Sequence, residues 1–182
     1  VVSTDSKKIA SLSKKFGATI TLIRSKKNSG DKASTADALY EVISKMKKSK
    51  INFKYACCFY APTPFLDMKN VRMGFKSLVK KKFDSVISLV RINNKALRSF
   101  FRKPNGQVSY VLNKFKNFRT QDLDKLFLDI GQWYWINVNT FVRKKKIVSN
   151  NTGSLILDSS NLVDIDTPND WKFAEKLFKK NK

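Results

Sequence analysis

Residues 53–90, FKYACCFYAPTPFLDMKNVRMGFKSLVKKKFDSVISLV, combine a strand, a helix and a second strand in one continuous stretch. The apolar run Phe53 to Tyr60 is typical of a strand, and the two prolines of Ala61-Pro62-Thr63-Pro64 end it. Asp67 is a helix N-cap for a helix to about Lys81, and the apolar segment Ser85 to Val90 is the next strand. Strands that alternate with helices in this way predict a parallel sheet covered by helices.

The chain before this unit shows the same alternation. Val1-Val2 is read as the end of a strand, and a helix capped by Thr4 or Asp5 follows it and stops at Gly17. Ala18 to Ile23 is a short strand, and Ser34 or Thr35 caps a helix from Ala36 to about Lys48. In parallel α/β sheets, ligands bind beyond the carboxyl ends of the strands, so we expect the site there.

After Val90 the pattern changes. Residues 91–129 are basic and contain the turn Pro104-Asn105-Gly106, which predicts a small inserted β subdomain. Beyond it we expect a strand over Gln132 to Val138 and a short helix near Thr140 to Lys145. Two more short strands are expected, over Leu155 to Asp158 and over Leu162 to Ile165. A terminal helix is expected from Asn169 onward.

Composition limits the class of protein. The 182 residues are 42% hydrophobic, which fits one domain with a sizeable core, and no apolar run approaches the ~20 residues that span a bilayer. We therefore expect a cytoplasmic protein. The chain has no histidine, which excludes Ser-His and Cys-His nucleophiles, and its two cysteines, Cys57 and Cys58, are adjacent in a strand and more typical of packing.

The formal charge of +23 is strongly asymmetric, because Asp84 is the only acid between Asp67 and Asp122. Such a charge can be an electrostatic footprint for nucleic acid or for an anionic small substrate. It can equally be a set of solvated, lysine-rich helix faces. The second interpretation is preferred, because the lysines lie on amphipathic helices without the aromatic and glycine interleaving of nucleic-acid modules.

Asp164 and Asp166 form an Asp-x-Asp pair at the end of an apolar run. On a strand, alternate residues share one face and lie roughly 6.5 to 7 Å apart, a span that one hydrated Mg²⁺ with phosphate ligands can bridge. The alternative is an Asx turn at Asp166, with Asn169 or Asp170 capping the last helix after Pro168. The residues alone leave both interpretations open for the pair.

No two of the six glycines are close enough to build a phosphate-binding loop. The chain also starts without Met, inside an apparent strand. We therefore expect a fragment that lacks the first strand and the phosphate loop of an α/β nucleotide-binding domain.

Several segments, in order, resemble the cytidylyltransferases that activate nonulosonic acids as CMP-sugars, and pseudaminic acid cytidylyltransferases in particular. The resemblance spans nearly the whole chain, and its segments are Val2-Ser3-Thr4-Asp5, Arg24, Asp31-Lys32-Ala33-Ser34-Thr35, Tyr60-Ala61-Pro62-Thr63-Pro64-Phe65, Gly131-Gln132-Trp133-Tyr134-Trp135 and Asp164-Ile165-Asp166-Thr167-Pro168. It implies a Rossmann-like nucleotide-diphospho-sugar transferase fold, with a mostly parallel sheet, helices on both faces and a β subdomain at 91–129 that serves dimerisation.

The resemblance also implies roles for particular residues. It places the nucleotide against Arg24, Ala33, Ser34 and Thr35, and a catalytic Mg²⁺ on Asp164 and Asp166. It places the sugar acid near Tyr60, Arg119, Gln132 and Tyr134. Trp133 and Trp135 alternate with Tyr134, so one face of this strand is expected to be core.

The implied reaction is attack of the sugar's anomeric hydroxyl on the α-phosphate of CTP, with release of pyrophosphate, in a homodimeric enzyme. Pseudaminic acid is the expected sugar, because sialic acid synthetases usually carry Gln at the position of Tyr60. N-acylneuraminate is the alternative. Neither a membrane nor a specific nucleic acid is an expected partner. Two hypotheses of another class remain, a basic nucleic-acid-binding domain and an inactive fragment.

Overall fold

The computed structural model describes residues 1–159 and 162–180 and contains helices and strands in alternation along most of that length. The helices are α1 (Lys7–Lys15), α2 (Thr35–Lys48), α3 (Met68–Lys80), α4 (Val138–Lys144) and α5 (Pro168–Lys180). The strands are β1 (Val2–Thr4), β2 (Thr21–Ile23), β3 (Tyr55–Phe59), β4 (Ser85–Ile92), β5 (Phe100–Arg102), β6 (Val108–Tyr110), β7 (Leu126–Asn137) and β8 (Thr152–Leu157).

The main sheet has four strands in the order β3-β7-β4-β8. Strands β3 and β4 each pair antiparallel with β7, and β4 pairs parallel with β8. Three of the four strands therefore run in one direction, but the sheet is mixed and not mostly parallel. The expectation needs one correction: the reversed strand β7 lies in the middle, so two of the three pairings are antiparallel.

Strands β1 and β2 form a separate parallel pair with Val2 opposite Thr21. The carboxyl end of this pair is held by a hydrogen bond from the Arg24 N–H to the Thr4 carbonyl at 2.8 Å. Arg24 is thereby fixed directly after β2.

Helices cover both faces of the main sheet, as expected. One face packs against α3 through a cluster that includes Val71, Leu78 and the fully buried Trp133. The other face packs against α2 and α4 through Ile43, Ile136, Val138 and Phe141. Burial of these apolar side chains is the main stabilising term of the fold.

The contact between α3 and β7 depends on a glycine. A Cβ placed on Gly74 would lie 2.5 Å from the Trp133 ring, closer than any side chain tolerates. Trp135 closes the same face, because its indole N–H donates to the Val71 carbonyl at 2.8 Å. One face of this strand was expected to be core, and the structure shows that Trp133 and Trp135 form it.

Local capping chemistry explains where several helices begin. Ser34 and Asp37 form a reciprocal capping box at the start of α2, and Asp67 accepts the Lys69 N–H at the start of α3. Both sites match the sequence prediction. Helix α1 is capped by Ser6, whose hydroxyl accepts the Ile9 N–H, and not by Thr4 or Asp5.

The hairpin β5–β6 follows β4 and precedes β7 along the chain, and it pairs Phe100 with Tyr110. The expected limits of this insertion, 91–129, are too wide. Arg91 and Ile92 belong to β4 and pair with Phe127 and Leu126 of β7, because β7 extends well before Gln132.

The segment that leads into α5 also differs from expectation. Residues 162–166 form neither helix nor strand, so the strand expected over Leu162 to Ile165 is wrong. The cap of α5 is Thr167, whose hydroxyl accepts the Asp170 N–H while Asp170 Oδ2 accepts the Thr167 N–H at 2.7 Å. Pro168 takes the first helical position, where its missing N–H costs nothing.

Among the described residues, no helix combines the length and the apolar character needed to cross a membrane.

Candidate functional site

A cavity of about 890 Å³ lies between β1, α2 and β3. Its lining contains all four residues expected to bind the nucleotide and one expected to bind the sugar: Arg24, Ala33, Ser34, Thr35 and Tyr60. The later turns of α2 give this cavity an apolar wall through residues such as Leu39 and Val42. The polar groups therefore gather at the start of α2.

Arg24 has an unused donor at this cavity. Its Nε atom is buried and has no hydrogen-bond partner within residues 1–159 and 162–180. A buried N–H without a partner is costly, and a guanidinium fork suits a carbonyl or phosphate acceptor. The arrangement fits the recognition of a polar ligand at Arg24.

A carboxylate that the sequence analysis missed holds the segment after Arg24. Glu41 on α2 accepts the backbone N–H of Ser25 at 2.9 Å, the Ser25 hydroxyl at 2.7 Å and the Asn28 amide at 2.6 Å. Lys45 bridges Glu41 and the Ile23 carbonyl. The side chain of Glu41 is only 12% exposed. Glu41 thus clamps the residues on both sides of Arg24 to α2.

The network determines the charge of Glu41. Partial burial raises the pKa of the carboxyl, but the hydrogen bonds from Lys45, Ser25 and Asn28 outweigh burial and lower the pKa to about 2. Glu41 is therefore a permanent anion near neutral pH. Its partners Ser25 and Asn28 lie 16 and 13 residues away in the sequence, so a local pattern could show only the contact with Lys45, four residues on along α2.

Tyr60 connects the nucleotide and sugar sides of the expected site. Its hydroxyl shares a hydrogen bond with the hydroxyl of Thr35 at the start of α2. Its ring meets the ring of Tyr134 edge-on, with centroids 5.5 Å apart. Thr35, Tyr60 and Tyr134 therefore form a continuous chain of contacts across the strand ends.

Gln132 lies beside this chain and is 3% exposed. Its carbonyl accepts the Tyr60 N–H at 3.3 Å, and its amide donates to the Phe65 carbonyl at 3.4 Å. Gln132 therefore fixes the loop that follows β3, and its amide group is engaged within the protein.

Asp129 was also missed by the sequence analysis. Its carboxylate accepts the Gly131 N–H at 2.9 Å and the Tyr134 hydroxyl at 3.1 and 3.0 Å. Burial, and then the negative charge of Asp129, raise the pKa of Tyr134 far above its ordinary value. Tyr134 is therefore a neutral donor, and Asp129 is its acceptor.

Arg119 is not brought to this group by any contact recorded in the described part of the chain. It is exposed and directly precedes the 3₁₀ turn Thr120–Asp122 on the long connection between β6 and β7.

Asp164 and Asp166 lie in the irregular segment 162–166, with exposed side chains on either side of the partly buried Ile165. Val163 is buried, so exposure alternates along the segment and the two carboxylates share its outer side. The Ile165 N–H donates to the Pro62 carbonyl at 3.1 Å, which fastens the segment beside the loop after Tyr60.

Burial, and then the negative charges of Asp166 and Asp170, raise the pKa of Asp164. Asp170 is already committed to Thr167, and its hydrogen bonds there lower its pKa. A divalent cation would relieve the mutual repulsion of Asp164 and Asp166, so this pair fits Mg²⁺ with the remaining ligands supplied by phosphates and water. No group of three or more metal-binding side chains occurs among the described residues.

The adjacent thiols do not provide a nucleophile. Burial, and then the neighbouring Cys58, raise the pKa of Cys57 to about 12, and burial raises that of Cys58. Cys57 packs against the core cluster of α3. Both thiols stay protonated near neutral pH, as structural cysteines do.

Comparison with known proteins gives a consistent result. The family model described as cytidylyltransferase matches residues 1–123. The pseudaminic acid cytidylyltransferase of Campylobacter jejuni strain 81-176 is 26% identical over 181 residues, which cover 100% of this chain and 78% of the relative. The CMP-N,N'-diacetyllegionaminic acid synthase of Legionella pneumophila is 28% identical over 188 residues, which cover 100% of this chain and 78% of that relative.

A solved structure of CMP:2-keto-3-deoxy-manno-octonic acid synthetase complexed with CTP matches the fold with a TM-score of 0.67. The match covers 100% of this chain and 80% of that chain at 12% identity. The expected α/β nucleotidyltransferase fold is thereby confirmed.

Proposed function

The chain belongs to the cytidylyltransferase family, and from that premise we propose that it transfers CMP from CTP to a nonulosonic acid and releases pyrophosphate. The observation that carries the proposal is the similarity, over all of this chain and 78% of each relative, to two enzymes that are named for such acids. In the proposed reaction, the anomeric oxygen of the sugar forms a bond to the α-phosphorus of CTP while the bond to pyrophosphate breaks. Such transfers depend mainly on positioning and charge neutralisation, so no covalent intermediate on the protein is needed.

The proposed nucleotide site is the polar end of the cavity at the start of α2. Arg24 supplies a buried donor that has no hydrogen-bond partner in the described part of the chain. Ala33, Ser34 and Thr35 supply the backbone and hydroxyl groups of a helix N-terminus, which favours a negatively charged ligand. Glu41 fixes the position of Arg24 relative to α2, because it binds the neighbouring Ser25.

The proposed metal site is formed by the carboxylates of Asp164 and Asp166, which would act in catalysis by holding Mg²⁺. The ion would neutralise the charge that develops on the phosphate oxygens during transfer. The hydrogen bond between Ile165 and Pro62 supports this assignment, because it holds the pair beside the loop that follows Tyr60.

The proposed sugar site lies around Tyr60, Gln132 and Tyr134. Gln132 acts there by holding the loop after β3, since its amide group binds the Phe65 carbonyl. Arg119 is a candidate for the sugar carboxylate, and it can reach the site only if the exposed connection around it folds over the strand ends. Pseudaminic acid or a close diacetamido acid is the proposed substrate, and N-acylneuraminate is the alternative.

We also propose that the enzyme is a homodimer that acts in the cytoplasm, where CTP is consumed. The hairpin β5–β6 supports a second copy as partner, because its apolar residues face solvent: Phe100 is 50%, Phe101 62% and Val108 61% exposed. Exposed apolar clusters of this kind are typical of interfaces. Light scattering tests this proposed interface. It should show a dimer for the wild type and a monomer for Phe101→Glu.

Pyrophosphate release from CTP and Mg²⁺ with a panel of nonulosonic acids tests the proposed function. The assay uses the protein as its gene encodes it and, in parallel, residues 1–182 alone. Release that depends on both CTP and a nonulosonic acid supports the proposal. Failure of the encoded protein with every acid of the panel refutes it.

A further inference from the structure

We propose that Asp129 is a specificity-determining residue of the sugar site, where its carboxylate accepts a hydrogen bond from an acylamino N–H of the sugar. This inference rests on the proposed function. It assigns a chemical preference, for an acid sugar with N–H donors, to one side chain of the site.

Asp129 is placed by an irregularity in the sheet. Ile87 of β4 pairs with Tyr134, whereas Leu89, two residues later, pairs with Asp129. One residue of β4, Ser88, therefore faces the four residues 130–133 of β7. Ser88 bridges the gap, because its hydroxyl donates to the Trp133 carbonyl at 3.2 Å and accepts the Trp133 N–H at 3.3 Å. The bulge brings Asp129 next to Tyr134 although five positions separate them.

Gly131 makes this bulge possible. Its φ is +63°, in the left-handed region, and a Cβ at this position would lie 2.8 Å from the Tyr60 ring. The turn that carries Asp129 therefore packs closely against Tyr60. Since Tyr60 is bound to Thr35 at the nucleotide end, Asp129 lies at the far end of a chain of contacts that begins at the proposed CTP site.

The carboxylate keeps capacity for a ligand. An ionised carboxylate has about four acceptor sites, and within residues 1–159 and 162–180 only Gly131 and Tyr134 donate to Asp129. The Asp129 side chain is exposed, so the remaining sites can be reached from solvent. Both protein donors are neutral and hold the group in one orientation.

Among the described residues, no Lys or Arg forms an ion pair with Asp129, although the chain contains 37 of them. The ion pairs recorded for the described residues join Glu41 to Lys45 and Asp84 to Lys144, and neither involves Asp129. A negative charge without a cationic partner repels the carboxylate of an acid sugar and attracts N–H donors at the opposite end of the ring. Acylamino groups provide such donors.

The test compares two acids in the same assay, pseudaminic acid and 2-keto-3-deoxy-manno-octonic acid, of which only the first carries acylamino groups. We expect Asp129→Asn to lower kcat/KM for the diacetylated acid by about tenfold or more, because the amide can present a donor where an acceptor is needed. The KM for CTP should stay within about twofold, since the nucleotide end is untouched. The ratio of kcat/KM for the two acids should therefore fall.

Asp124→Asn is the matched control, because it removes the same charge from an exposed position before β7. It should leave the ratio of kcat/KM for the two acids unchanged. Tyr134→Phe is the second variant, because it keeps the carboxylate but removes the hydroxyl that orients it. We expect a smaller loss in the same direction, and this variant decides the question if Asp129→Asn does not fold.

The outcomes separate the two proposals. If the wild type releases no pyrophosphate with any acid of the nonulosonic acid panel, the proposed function fails and this inference falls with it. If the wild type is active but the ratio for the two acids is the same in Asp129→Asn as in Asp124→Asn, the role of Asp129 alone is refuted.

Discussion

The backbone N–H of Ile165 donates a hydrogen bond to the carbonyl oxygen of Pro62 at 3.1 Å. This single bond ties the Asp-x-Asp segment near the end of the chain to the loop that follows β3, about a hundred residues earlier. The loop begins at Tyr60, which lines the cavity at the start of α2. The structure thus places the proposed metal pair next to the proposed nucleotide and sugar sites without using a regular strand.

The first prediction concerns the metal pair. Asp164→Asn and Asp166→Asn should each abolish most Mg²⁺-dependent turnover, because each removes one proposed ligand. Asp164→Asn should nevertheless be at least as stable as the wild type near neutral pH without metal. The pKa of Asp164 is raised in the folded protein, so its ionised form opposes folding, and this cost grows as pH rises through that pKa.

Steady-state kinetics across Mg²⁺ concentrations and thermal melts from pH 4 to 8 check both parts of this prediction. Asp124→Asn serves as the charge-matched control. Normal turnover and unchanged Mg²⁺ dependence in both variants would show that Asp164 and Asp166 have only a structural role.

The second prediction concerns Glu41. Glu41→Gln should lower the free energy of unfolding by about 1 to 2 kcal/mol, because it removes charge-assisted hydrogen bonds to a carboxylate whose partners are partly exposed. It should also raise the KM for CTP by about tenfold while leaving the KM for the sugar acid almost unchanged, because the clamp holds Arg24 and not the sugar side.

Asp84→Asn is a closely matched control, because Asp84 binds a lysine, a serine and an asparagine in the same way, through Lys144, Ser149 and Asn151. It should cost similar stability without a selective effect on CTP. If both variants change the KM for CTP equally, Glu41 has no special role at the nucleotide site.

The pH dependence of this network has a definite sign. The pKa of Glu41 is lowered from 4.5 to about 2, so its stabilisation is complete above about pH 4.5 and is lost as pH falls toward 2. Chemical unfolding of the wild type and of Glu41→Gln should therefore show a stability difference that shrinks over that interval.

The third prediction tests the core. Gly74→Ala should destabilise the protein by about 1 to 3 kcal/mol, because the new methyl group would lie 2.5 Å from the Trp133 ring and force α3 away from β7. Gly30→Ala is the control, since a Cβ at Gly30 has no neighbour within 4 Å. A melting temperature of Gly74→Ala equal to that of Gly30→Ala would contradict this packing.

Local sequence signals predicted local structure well. The caps at Ser34 and Asp67 were found because a cap depends on residues within one helical turn. The core position of Trp133 followed from simple alternation along a strand. The start of β7 at Leu126 was missed because Asp129 and Gly131 interrupt that alternation at the bulge.

The candidate site was predictable only where it resembles a family pattern. A loop brings Ser25 and Asn28 to Glu41, and a bulge brings Tyr134 to Asp129. These spacings of 16, 13 and 5 residues match no helix or strand period, unlike the ordinary i,i+4 pair of Glu41 with Lys45. The position of β7 between β3 and β4 was also beyond reach, because strand order depends on long-range pairing and not on composition.

The fourth prediction concerns the charge of +23. If the lysines are solvated helix faces, binding to duplex DNA should be weak, non-specific and nearly lost at ~150 mM salt. Fluorescence anisotropy with two unrelated duplexes over a salt series measures this. Submicromolar binding at that salt that distinguishes the two sequences would favour the nucleic-acid hypothesis.

The central claim is that the protein joins CMP to a nonulosonic acid of the diacetamido type. The most direct measurement is mass spectrometry of the product formed from CTP, Mg²⁺ and an equimolar mixture of pseudaminic acid and N-acetylneuraminic acid. The account predicts that CMP-pseudaminic acid is the dominant conjugate. A mixture in which CMP-N-acetylneuraminic acid dominates, or in which the encoded protein forms no CMP conjugate, would contradict it.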